Sequence, residues 1–65
     1  MNYKPVFIFA GGERCTNAQV FATQTEAYKS AQARFMVWTM PVGIDTETTT
    51  DKVTYKFTNQ DERLK

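Results

Sequence analysis

Side chains able to act as nucleophiles, acids or bases are scarce in this chain of 65 residues. Histidine is absent, and serine and cysteine hydrolases depend on an imidazole to activate their nucleophile. Cys15 is the only thiol, whereas a redox motif or a disulfide framework needs a second cysteine. We therefore interpret Cys15 as a spare thiol, and we expect no nucleophilic or redox centre.

Two carboxylates, Asp45 and Glu47, are the remaining candidates for acid–base chemistry. They are separated by one residue in a predicted strand, which places both side chains on one face about 7 Å apart. Paired carboxylates can act as general acid and base, but Lys56 is predicted to face Asp45 and to form a solvated charge pair with it. We expect no catalytic residues and no enzyme activity.

Cofactor and metal sites are not indicated either. Gly11, Gly12 and Gly43 do not have the spacing of a phosphate-binding loop. With one cysteine and no histidine, the chain cannot supply the ligands of a typical zinc site. We expect no cofactor and no bound metal.

The element that should organise the chain is a helix over residues 24–39. Thr23 and Glu26 fit a capping box, in which a side chain at the helix start and an acid three residues later satisfy each other's backbone N–H. Pro41 should end the helix, because it lacks a backbone donor and disfavours helical geometry in the residue before it. One side of the helical wheel is formed by Gln24, Ala27, Tyr28, Ala31, Phe35 and Trp38.

A first hairpin is predicted before the helix. Residues 3–10 read as a strand, because residues 6–9 are consecutive apolar residues of high β propensity. Gly11 and Gly12 can adopt positive φ and suit a hairpin turn. Two pairings remain open: a tight turn makes residues 13–22 a long second strand, and a wider loop leaves only residues 18–22.

A second hairpin is predicted after the helix, because apolar side chains occupy every second position in parts of residues 42–49 and 52–58, which is the period of a strand. A turn at Thr50 and Asp51 places the apolar groups on one face and opposite charges on the other. Residues 59–65 are polar and are predicted to be a frayed tail. The predicted facing pairs are Ile44 with Phe57, Thr46 with Tyr55, Thr48 with Val53, Asp45 with Lys56, and Glu47 with Thr54.

Together these elements predict a single small α+β domain. It consists of a β-hairpin, a helix and a second β-hairpin, with a mainly antiparallel sheet and the helix packed on one face. So short a chain buries only about 60% of its unfolded surface, and it gains stability from association with a partner. The expected core is formed by Phe7, Phe9, Val20, Ala27, Ala31, Phe35, Trp38, Ile44, Tyr55 and Phe57.

The charge balance indicates which partners to expect. Eight basic and seven acidic residues give a net charge of +1, which is not the basic surface of a nucleic-acid binder. The chain has no apolar run long enough to span a membrane, and the apolar run at residues 5–10 is too short for a signal peptide. A free thiol is typical of the cytoplasm, which is where we expect the protein to act. Nucleic-acid binding stays open as an alternative, because Tyr55 and Phe57 could stack on bases from a sheet face.

The end of the predicted helix is apolar almost all round. Ala33, Met36 and Val37 lie opposite the core side of the wheel, and Met40 follows them. Such a helix end is normally buried, which so short a chain cannot achieve alone. Either this end meets another chain, or the final turn of the helix frays. We predict that Ala33, Met36, Val37 and Met40 form a protein interface, occupied by a second copy in a homodimer or by a different protein.

Two stretches of the sequence and one residue between them resemble a known family. The stretches are Val20-Phe-Ala-Thr-Gln-Thr-Glu-Ala and Pro41-Val-Gly-Ile-Asp, and the residue is Ala31. This pattern, over residues 20–47, is similar to small bacteriophage-encoded inhibitors of host bacterial RNA polymerase. In those proteins a strand leads into a Thr-x-x-Glu-Ala helix start, and a Pro-x-Gly strand follows.

The resemblance carries expectations about partner and origin. It implies a small antiparallel sheet with one helix across it, a viral source, a location in the host cytoplasm and a host protein as partner. Glu26 and Asp45 match acidic positions of the family's binding surface. We therefore add Glu26, Asp45 and Glu47 to the candidate interface.

Overall fold

The computed structural model describes residues 1–64. Its elements follow the chain in the order strand, strand, helix, strand, strand, strand. They confirm the predicted small α+β fold, with antiparallel strand pairs and one helix among the described residues. The bounds are β1 Asn2–Ile8, β2 Arg14–Thr16, α1 Gln24–Phe35, β3 Gly43–Thr49, β4 Tyr55–Phe57 and β5 Asp61–Arg63.

β1 is the central strand of a three-stranded sheet with the order β2-β1-β3, and it is antiparallel to both neighbours. Its consecutive apolar residues fit this position: Val6 and Phe7 point to opposite faces, and both are buried. β2 and β3 are therefore parallel to each other, and α1 connects them. α1 packs against β1 and β3, and the Gln24 amide at its start donates to the Thr46 hydroxyl.

Pro5 occupies this central strand at a position where its missing N–H leaves no gap in the ladder. Tyr3 and Phe21 exchange two backbone hydrogen bonds of 2.8 Å, so the odd-numbered residues of β1 point their backbone groups toward β2. Residues 17–20 leave the ladder on that side, between Thr16 and Phe21. A donor at residue 5 would have pointed into this interruption, which explains why proline is tolerated there.

The first hairpin turns at the two glycines. The Gly12 N–H donates to the Phe9 carbonyl at 2.8 Å, and Gly12 has a φ of 85°, which glycine adopts without steric cost. The observed pairing lies between the two predicted alternatives. β2 starts directly after a tight turn, but it is only three residues long, and Phe21 forms an isolated bridge to Tyr3.

The pairing predicted for the second hairpin is wrong. β3 pairs with β1 along seven residues, whereas β4 pairs with β5 in a separate two-stranded sheet. Alternation could not choose between these partners, because Ile44 and Thr46 share a face in either register and are opposite Phe7 and Pro5 in the observed one. All five facing pairs predicted between residues 44–48 and 53–57 are absent from the observed registers.

The predicted frayed tail, residues 59–65, contains β5 instead. The Leu64 N–H donates to the Thr54 carbonyl at 2.9 Å, and the Thr54 N–H donates to the Val20 carbonyl at 3.0 Å. The sequence showed no sign of this strand, because its residues are polar. β5 lies at the edge of its sheet, where charged groups can reach water. Lys65 lies outside the described residues.

α1 begins at the predicted residue. The Thr23 hydroxyl accepts a hydrogen bond from the Glu26 N–H at 3.2 Å and donates to the Glu26 carboxylate at 3.0 Å. Threonine is a preferred N-cap residue because its oxygen satisfies one of the N–H groups that the first helical turn leaves unpaired. The Thr23 half of the predicted capping box is therefore confirmed, whereas the Glu26 carboxylate accepts from the Thr23 hydroxyl and the Phe57 N–H in place of the predicted Thr23 N–H.

α1 ends at Phe35, four residues before the predicted end at residue 39. The Trp38 N–H still donates to the Arg34 carbonyl at 3.0 Å, but the chain then leaves helical geometry. The Trp38 ring packs edge-on against Phe7 and Phe9, with centroid distances of 5.3 and 5.6 Å. Contact with the sheet, rather than Pro41 alone, determines where the helix stops.

The core lies between α1 and the sheet, and it is smaller than predicted. Phe7, Val20, Ala27 and Ala31 are buried as expected. Phe21 is fully buried but was not predicted; its ring lies 6.2 Å from that of Tyr55. Val6, which was not in the predicted core, is also fully buried, but on the face of β1 opposite to Phe7 and α1. The remaining expected core residues are partly exposed: Phe9, Phe35, Trp38, Ile44, Tyr55 and Phe57.

Candidate protein-interaction surface

Four predicted interface residues, Ala33, Met36, Val37 and Met40, are exposed in the last turn of α1 and directly after it, and we call them the apolar patch. Met36 is 81% exposed, Val37 84% and Met40 67%. Exposed apolar groups gathered in one place are typical of surfaces that bind other proteins. Val42, which is 62% exposed, extends this run of apolar residues toward β3 and was not predicted, because its alternating segment indicated a strand.

The early end of α1 positions these side chains. The Arg34 carbonyl accepts from the N–H groups of both Val37 and Trp38, at 3.2 and 3.0 Å, which makes a tight final turn. Trp38 is directed to the sheet by its contacts with Phe7 and Phe9. With Trp38 fixed inward, the side chains of Met36 and Val37 project outward.

A groove runs beside the patch, between α1 and the turn that joins β4 to β5. It contains two cavities of about 460 and 380 Å³ that share Ala33 and Phe57 among their lining residues. Val37 lines the larger cavity and Met36 the smaller one. The groove therefore has an apolar floor, and its opposite wall is formed by residues 57–60, which sequence reasoning had assigned to a strand end and a tail.

Polar contacts fasten β5 to the helix at one end of the groove. The Gln19 amide donates to the Asp61 carboxylate at 2.7 Å, and the Arg34 guanidinium lies 3.6 Å from the same oxygen. The Ser30 hydroxyl donates to the Gln19 side-chain oxygen at 3.4 Å. These contacts link β5, at the end of the groove wall, to α1 and to the segment that precedes it.

Glu26, a candidate interface residue, has partners within the fold. Its carboxylate accepts from the backbone N–H of Phe57 at 3.0 Å and from the Thr23 hydroxyl at 3.0 Å. It thus connects the start of α1 to β4. This contact joins residues 31 apart in the chain, and no local signal could have shown it.

Asp45 and Glu47 lie on β3, apart from the patch. The Asp45 carboxylate accepts from the Arg14 guanidinium at 3.1 Å and from the Thr46 N–H at 2.8 Å. These two donors hold the pKa of Asp45 below its usual value; the hydrogen bond from the Thr46 N–H is the largest single cause, and Arg14 adds a hydrogen bond and its positive charge. Glu47 is exposed. The seven candidate residues therefore fall in three places: the apolar patch, the start of α1 and the strand β3.

The aromatic residues considered for base stacking are engaged in packing. Tyr55 and Phe57 are both partly buried; Tyr55 contacts Phe21, and Phe57 lines the groove beside α1. A stacking platform needs ring faces open to solvent. This arrangement gives no support to nucleic-acid binding through the sheet face.

Residues 1–64 contain no group of three or more His, Cys, Asp or Glu side chains placed to hold a metal ion. Cys15, on β2, is exposed. No helix in the described part of the chain has both the length and the apolar character needed to cross a membrane.

Comparison with protein families, curated proteins and solved structures finds no match to this chain.

Proposed function

We propose that this chain is a non-enzymatic protein that acts by binding another protein through the apolar patch. The observation that carries the proposal is the clustering of exposed apolar groups. Of the seven large apolar side chains exposed in the described residues, four lie within residues 36–42. Covering these groups removes apolar surface from water and stabilises a complex.

The resemblance to phage-encoded inhibitors suggests the kind of partner. We propose that the chain is of bacteriophage origin and acts in the host cytoplasm on a host protein, with bacterial RNA polymerase as the first to test. The similar residues lie at the start of α1, at Ala31 and directly after residue 40, so they flank the apolar patch without including its residues. A homodimer is the second way to cover the patch, since a small domain gains stability from association.

Affinity capture tests the patch directly. The purified chain is immobilised and exposed to purified bacterial RNA polymerase and, in parallel, to a bacterial lysate. We expect specific retention of one host protein, and we expect the double variant Met36→Lys, Val37→Lys to lose it while keeping the wild-type circular dichroism spectrum. Lysine at both positions places charge in an interface that must be desolvated.

Met1→Lys is the matched control, because Met1 is 83% exposed and Met36 is 81% exposed. This control should retain the partner as the wild type does. Equal retention by the control and the double variant would contradict the patch as the binding surface. Sedimentation at several concentrations separates a homodimer from a chain that stays monomeric until it meets a host protein.

A further inference from the structure

We propose that β3 is a second docking site, at which an extended basic segment of another protein pairs with its outer edge as a fourth strand. The inference rests on the proposed function, because both require that the chain binds another protein. It concerns a different surface, because the contact would be made by the backbone of β3 and not by the apolar patch.

Backbone hydrogen bonds show which groups of β3 point away from the sheet. The two backbone hydrogen bonds between Tyr3 and Phe21 show that the backbone N–H and C=O groups of the odd residues of β1 point toward β2. On the β3 side, the Ile8 carbonyl accepts from the Val42 N–H at 2.7 Å. The even residues of β1 therefore pair with β3, where their partners carry odd numbers. The residues of β3 whose N–H and C=O groups point outward are Ile44, Thr46 and Thr48.

Most of these outward groups lack a partner within residues 1–64. No backbone hydrogen bond in that part of the chain involves the outward groups of Ile44 or Thr48, whereas the Thr46 N–H donates to the Asp45 side chain. Unpaired donors and acceptors in a row are what an added strand satisfies.

β3 is also the longest edge among the described strands. β2 and β5 have three residues each, whereas β3 has seven and pairs with β1 without a bulge. It contains no proline or lysine, the residues that commonly protect an edge from pairing. Its charged residues are both acidic: Asp45 and Glu47.

The acidic pair argues against a second copy as the occupant. In two-fold antiparallel pairing centred on Thr46, Asp45 of each copy would face Glu47 of the other. A shift by two residues would instead bring Asp45 opposite Asp45 or Glu47 opposite Glu47. Like charges directly opposite each other destabilise a strand pair, so β3 disfavours its own copy.

The same charges favour a basic segment. Lys4 faces Glu47 on β1, but the Lys4 ammonium lies 3.4 Å from Asp51. Glu47 therefore has no ion-pair partner within residues 1–64. A strand with Lys or Arg at alternating positions would place an opposite charge beside Glu47. The occupant that fits is an extended segment in which basic residues alternate with uncharged ones.

Two synthetic peptides of about the length of β3 test this inference: one alternates lysine with threonine, and the other glutamate with threonine. Amide hydrogen exchange is followed by NMR. We expect the basic peptide to slow exchange at Ile44 and Thr48, with the binding weakened by salt, and the acidic peptide to have no effect. Unchanged exchange at these amides with the basic peptide, or an equal effect of both peptides, would overturn the inference.

Substitutions separate this edge from other surfaces. Glu47→Lys should reverse the preference and favour the acidic peptide by about fivefold. Thr48→Pro removes an outward N–H and should abolish binding, whereas Thr16→Pro on β2 should not. Since a proline variant can unfold, the Glu47→Lys result decides the question if Thr48→Pro fails to fold.

The apolar patch provides the remaining control. Met36→Lys with Val37→Lys should leave peptide binding intact, so that failure of the patch and failure of the edge are seen separately. Loss of peptide binding in that variant would show that the edge is not an independent site. Slowed exchange at Ile44 that grows with protein concentration in the absence of peptide would indicate pairing with a second copy, and would also overturn the inference.

Discussion

The ion pair between Arg14 and Asp45 is the residue-scale contact whose strength should depend on pH. These residues lie on β2 and β3, so their contact spans β1 over the face that carries Val6. The folded-state pKa of Asp45 is lowered by the Thr46 N–H and by Arg14. A group with a lowered folded-state pKa stabilises the fold above its unfolded pKa, and loses that contribution as the pH falls through the folded value.

Asp45→Asn should therefore destabilise the chain near pH 7, and the difference from wild type should shrink below about pH 4, where aspartate in the unfolded chain takes up protons. Urea unfolding at several pH values measures this. The effect should be modest, because both side chains are about half exposed, 48% and 51%. A difference that is the same at neutral and strongly acidic pH would show that the ionised carboxylate does not stabilise the fold.

The sequence could predict the role of a single residue only where its partner is close in the chain. Thr23 and Glu26 are three residues apart, and their capping contact follows from helix geometry. The second role of Glu26, accepting from the Phe57 N–H, needed the position of β4. In the same way, Asp45 was expected to face Lys56, and its actual partner Arg14 became visible only with the order of the strands.

At the scale of secondary-structure elements, the structure moves the centre of the core away from the end of the helix. Phe21 is fully buried, whereas Trp38 is partly exposed. Truncating a buried phenylalanine removes apolar burial and leaves a cavity, which costs about 3–5 kcal/mol. We expect Phe21→Ala to lower the free energy of unfolding by that amount and Trp38→Ala to lower it less.

Urea titration of both variants, followed by circular dichroism, checks this order. Val42→Ala is a suitable control, because Val42 is 62% exposed and should change stability little. A larger loss for Trp38→Ala than for Phe21→Ala would contradict a core centred on Phe21.

Local signals predicted β1, α1, β3 and β4, whereas strand pairing depends on residues far apart in the chain and was not predictable from them. The start of α1 and the glycine turn are set by adjacent residues, so both were predictable. The partner of β3 was not, because the same alternation fits a neighbouring strand or β1. β5 was missed for a related reason: Asp61–Arg63 carries no apolar periodicity and pairs at an edge.

At the scale of the whole molecule, the sequence predicted the apolar patch correctly as exposed surface. Met36, Val37 and Met40 are exposed as expected, although they follow the end of α1 at Phe35 and do not lie on a helix that continues to residue 39. The groove beside the patch was not predictable, because its second wall comes from the β4–β5 turn. The identity of the partner remains a proposal drawn from the resemblance.

The three methionines allow the central proposal to be tested in one spectrum. Met36 and Met40 belong to the patch, whereas Met1 lies outside it and is equally accessible to solvent. With the methionine methyl groups labelled with carbon-13, we expect the Met36 and Met40 signals to change chemical shift in bacterial lysate or with purified RNA polymerase, while the Met1 signal keeps its chemical shift. Unchanged Met36 and Met40 chemical shifts in both, or equal changes of all three, would contradict a protein-binding function for the patch.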